Sequence, residues 1–143
     1  MHETSIALSI LSLVEEKFNN TPGAVRVTKI RVLVGSLSLV DPVALKFALE
    51  VASKGTPMEG SEIEIEFVEP VFKCRKCGHT WRLTRDELGR IAEDKALAQV
   101  LHYYPDLITE HLKCPKCGSR DIDIVEGGGV ILESVEIETR YGK

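Results

Sequence analysis

Between Thr4 and Phe18 the apolar residues Ile6, Ala7, Ile10, Leu11, Val14 and Phe18 recur every three or four positions, with Ser5, Ser9, Ser12, Glu15 and Glu16 between them. That spacing predicts an amphipathic helix. It is stopped at Asn19-Asn20-Thr21-Pro22-Gly23, whose residues favour turns and left-handed backbone. Val25 to Val34 is rich in β-branched residues, with Val25 and Val27 in one phase and Ile30, Val32 and Val34 in the other. A strand with a bulge near Lys29 reconciles the two phases. Asp41-Pro42 opens a second helix, because Asp accepts from free amides and Pro suits the first helical position. Its expected buried stripe is Ala44, Phe47, Ala48 and Val51, with Gly55 as the stop. Glu62 to Phe67 alternates strictly, which aims Ile63, Ile65 and Phe67 at a core and three glutamates at water. That strand ends at Pro70. The same alternation returns in Val135-Glu136-Ile137-Glu138, after the run Gly127-Gly128-Gly129.

Helix, strand, helix, strand, insert, strand is the pattern of an α+β fold. It predicts a small three-stranded sheet with two helices, built from residues 1–69 plus 126–143 and interrupted at 70–125 by a four-cysteine, zinc-ribbon-like module. The 143 residues suit one domain or two small ones. With 43% hydrophobic and 28% charged residues the chain has the balance of a globular protein, which excludes wholesale disorder. Eighteen basic against 22 acidic side chains leave a net charge of −4, unlike a surface built throughout for nucleic acid or membrane. No segment reaches the roughly 18 to 20 apolar residues that cross a bilayer. Ser5 to Val14 lacks a basic flank and runs into Glu15 and Glu16, so it does not read as a signal peptide. The expectation is a cytoplasmic protein, whose cysteines are kept reduced and serve as ligands or redox groups.

All four cysteines lie in two like units, Lys73-Cys74-Arg75-Lys76-Cys77-Gly78 and Lys113-Cys114-Pro115-Lys116-Cys117-Gly118. Two intervening residues let both sulfurs of a tight turn reach one ion, and the following Gly permits the left-handed step that aims amides at the sulfurs. Two such knuckles complete a tetrahedron with no vacant position, which reads as structural zinc and not as a catalytic site. Iron in the same geometry would make an electron-transfer site, and spacing alone does not separate the two. The stretch between knuckles holds Trp81 and Leu83, expected to form a small core beside the metal. A charged run from Arg85 to Lys95 follows, then a helix from Glu93 to about Tyr103, closed by Pro105. Lys73, Arg75, Lys76, Lys113 and Lys116 surround the knuckles. Four thiolates on Zn²⁺ carry a net −2, which gives these cations a local partner. The competing reading, a zinc-ribbon module that binds nucleic acid, predicts salt-sensitive binding to DNA or RNA.

The chain begins Met1-His2-Glu3. A bulky second residue disfavours removal of the initiator Met, so the α-amine is expected on Met1. That amine, the deprotonated His2 amide and the His2 imidazole can close adjoining chelate rings in one plane. Such an all-nitrogen tetragonal set suits Ni(II) or Cu(II) better than Zn²⁺. The Glu3 amide, or a His from elsewhere, could fill the fourth position.

Met1-His2-Glu3 at the head of an amphipathic helix, followed by a small domain interrupted by two Cys-x-x-Cys-Gly knuckles, resembles the HypA family of nickel metallochaperones over essentially the whole chain. Those proteins mature [NiFe] hydrogenases, and some serve urease. The resemblance implies that His2 and the adjacent backbone bind nickel, and that Cys74, Cys77, Cys114 and Cys117 bind structural zinc. It implies as partners a HypB-type nucleotide-hydrolysing protein and the hydrogenase large subunit, with no nucleic acid and no membrane. The long spacer between knuckles looks like the archaeal form, in which a His of the insert helps hold nickel; His102 is the candidate, with His111 and His79 behind it. No motif sets a nucleophile beside a base, and the glycine run lacks the GxxxxGK[ST] of a phosphate cradle, so the chain is not expected to be an enzyme.

Overall fold

The computed structural model describes residues 2–38 and 40–142, apart from the side chains of His2, Arg85, Leu88, Ala92, His102, Pro105 and Asp106. In order, the elements are α1 (His2–Asn19), β1 (Ala24–Gly35), a 3-10 turn (Ser36–Ser38), α2 (Pro42–Ser53) and β2 (Glu62–Val68). Next come β3 (Val71–Cys74), β4 (Thr80–Arg82), α3 (Arg85–Glu93) and α4 (Lys95–Tyr103). A second 3-10 segment (Pro105–His111), β5 (Ile122–Glu126) and β6 (Val130–Thr139) complete the chain. The strands form two three-stranded sheets, ordered β2-β1-β6 and β4-β3-β5. The chain divides into two compact units.

Unit 1 comprises Met1–Leu33, Val40–Glu66 and Ile131–Lys143. Here α1 packs on α2, and Ala7, Ile10, Leu11 and Val14 supply its buried side. In β1, Val27 is buried and the next buried position is Ile30, three residues on, followed by Val32. The phase of the strand therefore changes around Thr28 and Lys29. Helix α2 starts where Asp41 Oδ1 accepts from the amides of Val43 (2.9 Å) and Ala44 (3.4 Å), with Pro42 in the first turn.

Two expected faces are corrected. The buried side of α2 is Leu45, Leu49 and Ser53, while Phe47 and Val51 are exposed and Ala44 and Ala48 half-buried. The helix carries two apolar stripes, both at a spacing of four, and the one with the leucines turns inward. In β2 only Ile63 is buried; Ile65 is half-buried and Phe67 exposed. As an edge strand, β2 lacks a neighbour on one side, so its inner residues are only partly covered.

The outer sheet face bears an ion-pair ladder. Lys29 Nζ meets Glu64 at 3.0 Å, and the Arg31 guanidinium reaches Glu64 at 2.9 Å and also Glu66 and Glu133. Donation from Lys29 and Arg31 holds the Glu64 carboxyl below its ordinary value.

Unit 2 comprises Phe67–Val130 together with Val34–Leu39. In its antiparallel sheet Phe72 stands opposite Trp81 on one side and Ile124 on the other. The core is Phe72, Leu37, Leu83, Leu101, Ile108 and Ile122, with Trp81 packed against it. Leu37 arrives on the 3-10 turn after β1. That segment is fixed by Gly35 N donating to Gly129 O (2.8 Å), Leu37 N to Gly127 O (3.2 Å) and Ser36 Oγ to Val68 O (3.1 Å). The approach is so close that a Cβ on Gly35 would stand 2.3 Å from the Gly127 carbonyl oxygen. The expected helix up to Tyr103 is α4, and the charged run before it forms a further helix, α3. Thr84 and Glu87 form a capping box that starts α3. Asp94 then interrupts the run, and its side chain accepts from Leu97 N (3.1 Å) to start α4.

Candidate metal centre

Each cysteine pair is presented by the same backbone device. In the first knuckle Cys74 N donates to His79 O (2.9 Å) and Gly78 N to Cys74 O (2.9 Å). In the second, Cys114 N donates to Ser119 O and Gly118 N to Cys114 O, both at 2.8 Å. Gly78 and Gly118 have φ of +78° and +76°, backbone that a side chain would strain. The leading cysteine of each knuckle is buried and the trailing one exposed. Register between β3 and β5, with Cys74 opposite Ile122, brings the two turns to one end of the sheet.

The four sulfurs all lie within 4.8 Å of one another. Cys74 Sγ stands 3.6 Å from Cys117 Sγ, and Cys77 Sγ 3.6 Å from Cys114 Sγ. Both gaps are far beyond a disulfide bond, and the four are free thiols. A tetrahedron with metal–sulfur bonds of about 2.3 Å has sulfur–sulfur edges of about 3.8 Å, so the separations fit a single tetrathiolate ion. Ionisation is shared unevenly. Donation from the Cys77 amide lowers the Cys74 thiol to about 6. Burial opposes ionisation of Cys114, but the amides of Cys117 and Lys116 overcome it and its pKa falls. At Cys117 the Ser119 amide favours the thiolate, yet burial and the three neighbouring sulfurs win and push it up to about 11. Four sulfurs at this spacing cannot all ionise without a cation among them, and the quartet has the arrangement of a metal site.

Of the five cations around the knuckles, Arg75 has carboxylate partners that the sequence reading missed. Its Nε donates to Asp123 Oδ1 at 2.7 Å and its Nη1 to Asp121 at 3.3 Å, while its own amide donates to Asp121 O. Arg75, with a smaller contribution from Lys73, holds the Asp123 carboxyl below the usual range. The acidic pair two residues apart, just after the second knuckle, was the available signal. Lys73, Lys76, Lys113 and Lys116 are exposed.

Met1 and the side chains of His2 and His102 lie outside the described residues. The backbone of α1 is helical from His2. Glu3 Oε2 accepts from Asp41 N at 3.3 Å, so the first turn of α1 is tied to the residue that caps α2. His79 stacks on Trp81, with ring centroids 5.7 Å apart and planes 12° from parallel, and His111 is exposed at the end of its 3-10 segment. Among the described residues the cysteine quartet is the one cluster of metal-type ligands, and no helix is long and apolar enough to cross a membrane.

A family model described as "Hydrogenase/urease nickel incorporation, metallochaperone, hypA" matches residues 1–137. A protein of Ignicoccus hospitalis named hydrogenase maturation factor HypA is 44% identical over 139 residues, covering 96% of this chain and 97% of its own. One of the same name from Pyrococcus furiosus is 41% identical over 141 residues, covering 96% of each. Among solved structures, the solution structure of the Ni metallochaperone HypA from Helicobacter pylori superposes with a TM-score of 0.60 at 19% identity. It covers 94% of this chain and 96% of that one, and supports the fold.

Proposed function

Because the chain belongs to the HypA family of nickel metallochaperones that serve hydrogenase maturation, we propose that it divides its work between a permanent zinc and a transient nickel. Cys74, Cys77, Cys114 and Cys117 would hold the zinc, and the spacing of their sulfurs is the observation that carries this half. Bound there, zinc supplies structure only, since four thiolates leave it no position for a substrate. The chain is read as a carrier and not a catalyst. Its free thiols suit the reducing cytoplasm, where we assign it.

Nickel is the cargo. The α-amine of Met1, the His2 amide and the His2 imidazole would bind it, with the Glu3 amide or His102 as the fourth ligand. The first amides of a helix have no intrahelical acceptor, so the His2 and Glu3 N–H groups can lose a proton without breaking α1. The positive end of the helix dipole favours that loss. A site made of backbone at a chain end can be taken apart by moving a few residues, which delivery requires. A HypB-type nucleotide-hydrolysing protein would act in this transfer, with the hydrogenase large subunit as recipient. Because the imidazole must be neutral to bind, nickel affinity should fall as pH drops through an ordinary histidine pKa of about 6.5.

The test is nickel titration of the wild type and of His2→Ala, with zinc measured in both. Loss of nickel binding with zinc retained is expected. Unchanged nickel affinity in His2→Ala would refute the terminal site while leaving the zinc assignment standing.

A further inference from the structure

The cysteine quartet belongs to a unit that is discontinuous in sequence. Residues Val34–Leu39 are part of unit 2, although unit 1 supplies the residues before and after them. Their 3-10 turn lies against α4 and against Pro105–His111, two stretches of the long connection between the knuckles. From it Leu37 enters the core cluster that holds Leu101 and Ile108 of that connection, Phe72 two residues before Cys74 on β3, and Ile122, which stands opposite Cys74 on β5. The other end of the same two strands, where Val71 faces Glu126, is closed by backbone. There Gly35 N donates to Gly129 O and Leu37 N to Gly127 O, at 2.8 and 3.2 Å, while Ser36 Oγ donates to Val68 O at 3.1 Å. Glycine is required on both sides of this clasp. A Cβ on Gly35 would stand 2.3 Å from the Gly127 carbonyl oxygen, and one on Gly127, at φ +78°, 2.7 Å from the Glu69 carbonyl oxygen.

We propose that Gly35 and Leu37 are positioning residues for the zinc centre, a proposal that rests on the zinc reading of the quartet. Neither residue is a ligand; both act through the strands and the connection that present the cysteines. Strands β3 and β5 have four and five residues, too few for their own ladder to fix both ends. Zinc would gather one end, at Cys74, and the clasp gathers the other, at Val71 and Glu126. Leu37 meanwhile backs the connection whose course decides where Cys114 and Cys117 arrive. Holding these parts in place beforehand lowers the ordering cost that zinc binding must meet. The coupling is reciprocal: whatever the clasp adds to zinc affinity, zinc adds to closure of the clasp. Zinc should therefore protect the amides of Gly35 and Leu37, which are far in sequence from every cysteine.

The test is hydrogen exchange of the full chain with and without zinc, together with the rate of zinc release to a chromogenic chelator. On removal of zinc the amides of Gly35 and Leu37 should exchange at least about tenfold faster. Leu37→Ala should release zinc at least about tenfold faster than the wild type, and Leu37→Met, of similar volume, should stay close to it. Leu45→Ala, a truncation of the same kind in unit 1, should leave release unchanged, which separates positioning of the zinc centre from a general loss of stability. Exchange at Gly35 and Leu37 that ignores zinc overturns the proposal, and so does release from Leu37→Ala at the wild-type rate. Release from Leu45→Ala or Leu37→Met as fast as from Leu37→Ala overturns it as well. A wild type that holds no zinc refutes the zinc reading and this proposal together.

Discussion

In unit 1, Ala7 and Val14 of α1, Ile30 and Val32 of β1, and Leu45 and Leu49 of α2 are all closed off from water. Apolar burial alone can hold such a unit together. Unit 2 has a smaller interior around Phe72, and two of its buried residues are the metal-type ligands Cys74 and Cys114. Its sheet has short strands, of four residues in β3 and three in β4. Burial of so few side chains leaves much of the ordering cost of the knuckles unmet, and a metal ion is the natural supplement. One unit should therefore fold on its own terms, while the other folds conditionally.

Chelation should separate the two units most sharply. Metal binding to structural thiolate sites stabilises small domains by about 10 kcal/mol or more, so a strong chelator, or Cys114→Ser, should unfold unit 2. Two-dimensional amide spectra should then show resonances of residues 71–126 collapsing to unfolded positions while those of α1 and β1 keep their dispersion. Equal loss in both units would break the distinction.

Core truncation is the next largest effect. Phe72→Ala should cost about 3 to 5 kcal/mol and Leu45→Ala about 2 to 5 kcal/mol. The sharper expectation is their different response to metal. Saturating zinc should rescue the midpoint of denaturant unfolding in Phe72→Ala, where binding and folding are linked, and leave that of Leu45→Ala unchanged.

The smallest effect is electrostatic. Glu64 has a folded-state pKa below its ordinary 4.5 because Lys29 and Arg31 donate to it. Its contribution is present above that ordinary value and lost as pH falls through the folded one. Stability of unit 1 should thus decline in acid below about pH 4.5, with a slope reduced in Glu64→Gln. The ladder is solvent-exposed and screened, so the change should be modest and should shrink in salt.

How much of this was legible in the sequence follows the range of the interactions. The knuckles are local devices: two residues between sulfurs and a glycine after them specify each turn without reference to the rest of the chain. The helix start at Asp41-Pro42 is local in the same sense. On α2, periodicity announced an amphipathic helix but could not choose between Leu45/Leu49 and Phe47/Val51, because both stripes repeat every four residues. Only packing against α1 decides between them. Leu37 was invisible for a different reason. It sits in Gly-Ser-Leu-Ser, with no period to read, and its burial depends on Phe72, Leu83 and Ile108, all distant in sequence. Phe67 looked like core because alternation continues through it, although the edge position of β2 leaves it exposed. The break between α3 and α4 could have been read from Thr84-x-x-Glu87 and from Asp94, both ordinary cap signals inside a run that otherwise looks merely charged.

Nickel and zinc should occupy separate sites of opposite kind, one made from the chain's first backbone atoms and one from four sulfurs, two on buried and two on exposed cysteines. Calorimetric nickel titration of the chain acetylated at its α-amine, with bound zinc quantified in the same sample, decides whether they do. Acetylation removes one ligand of the nickel chelate and leaves every side chain in place. Nickel affinity should fall by at least about tenfold, or about 1.4 kcal/mol, with one zinc per chain retained. Unchanged nickel affinity in the acetylated chain, or nickel and zinc lost together, would contradict the two-site account.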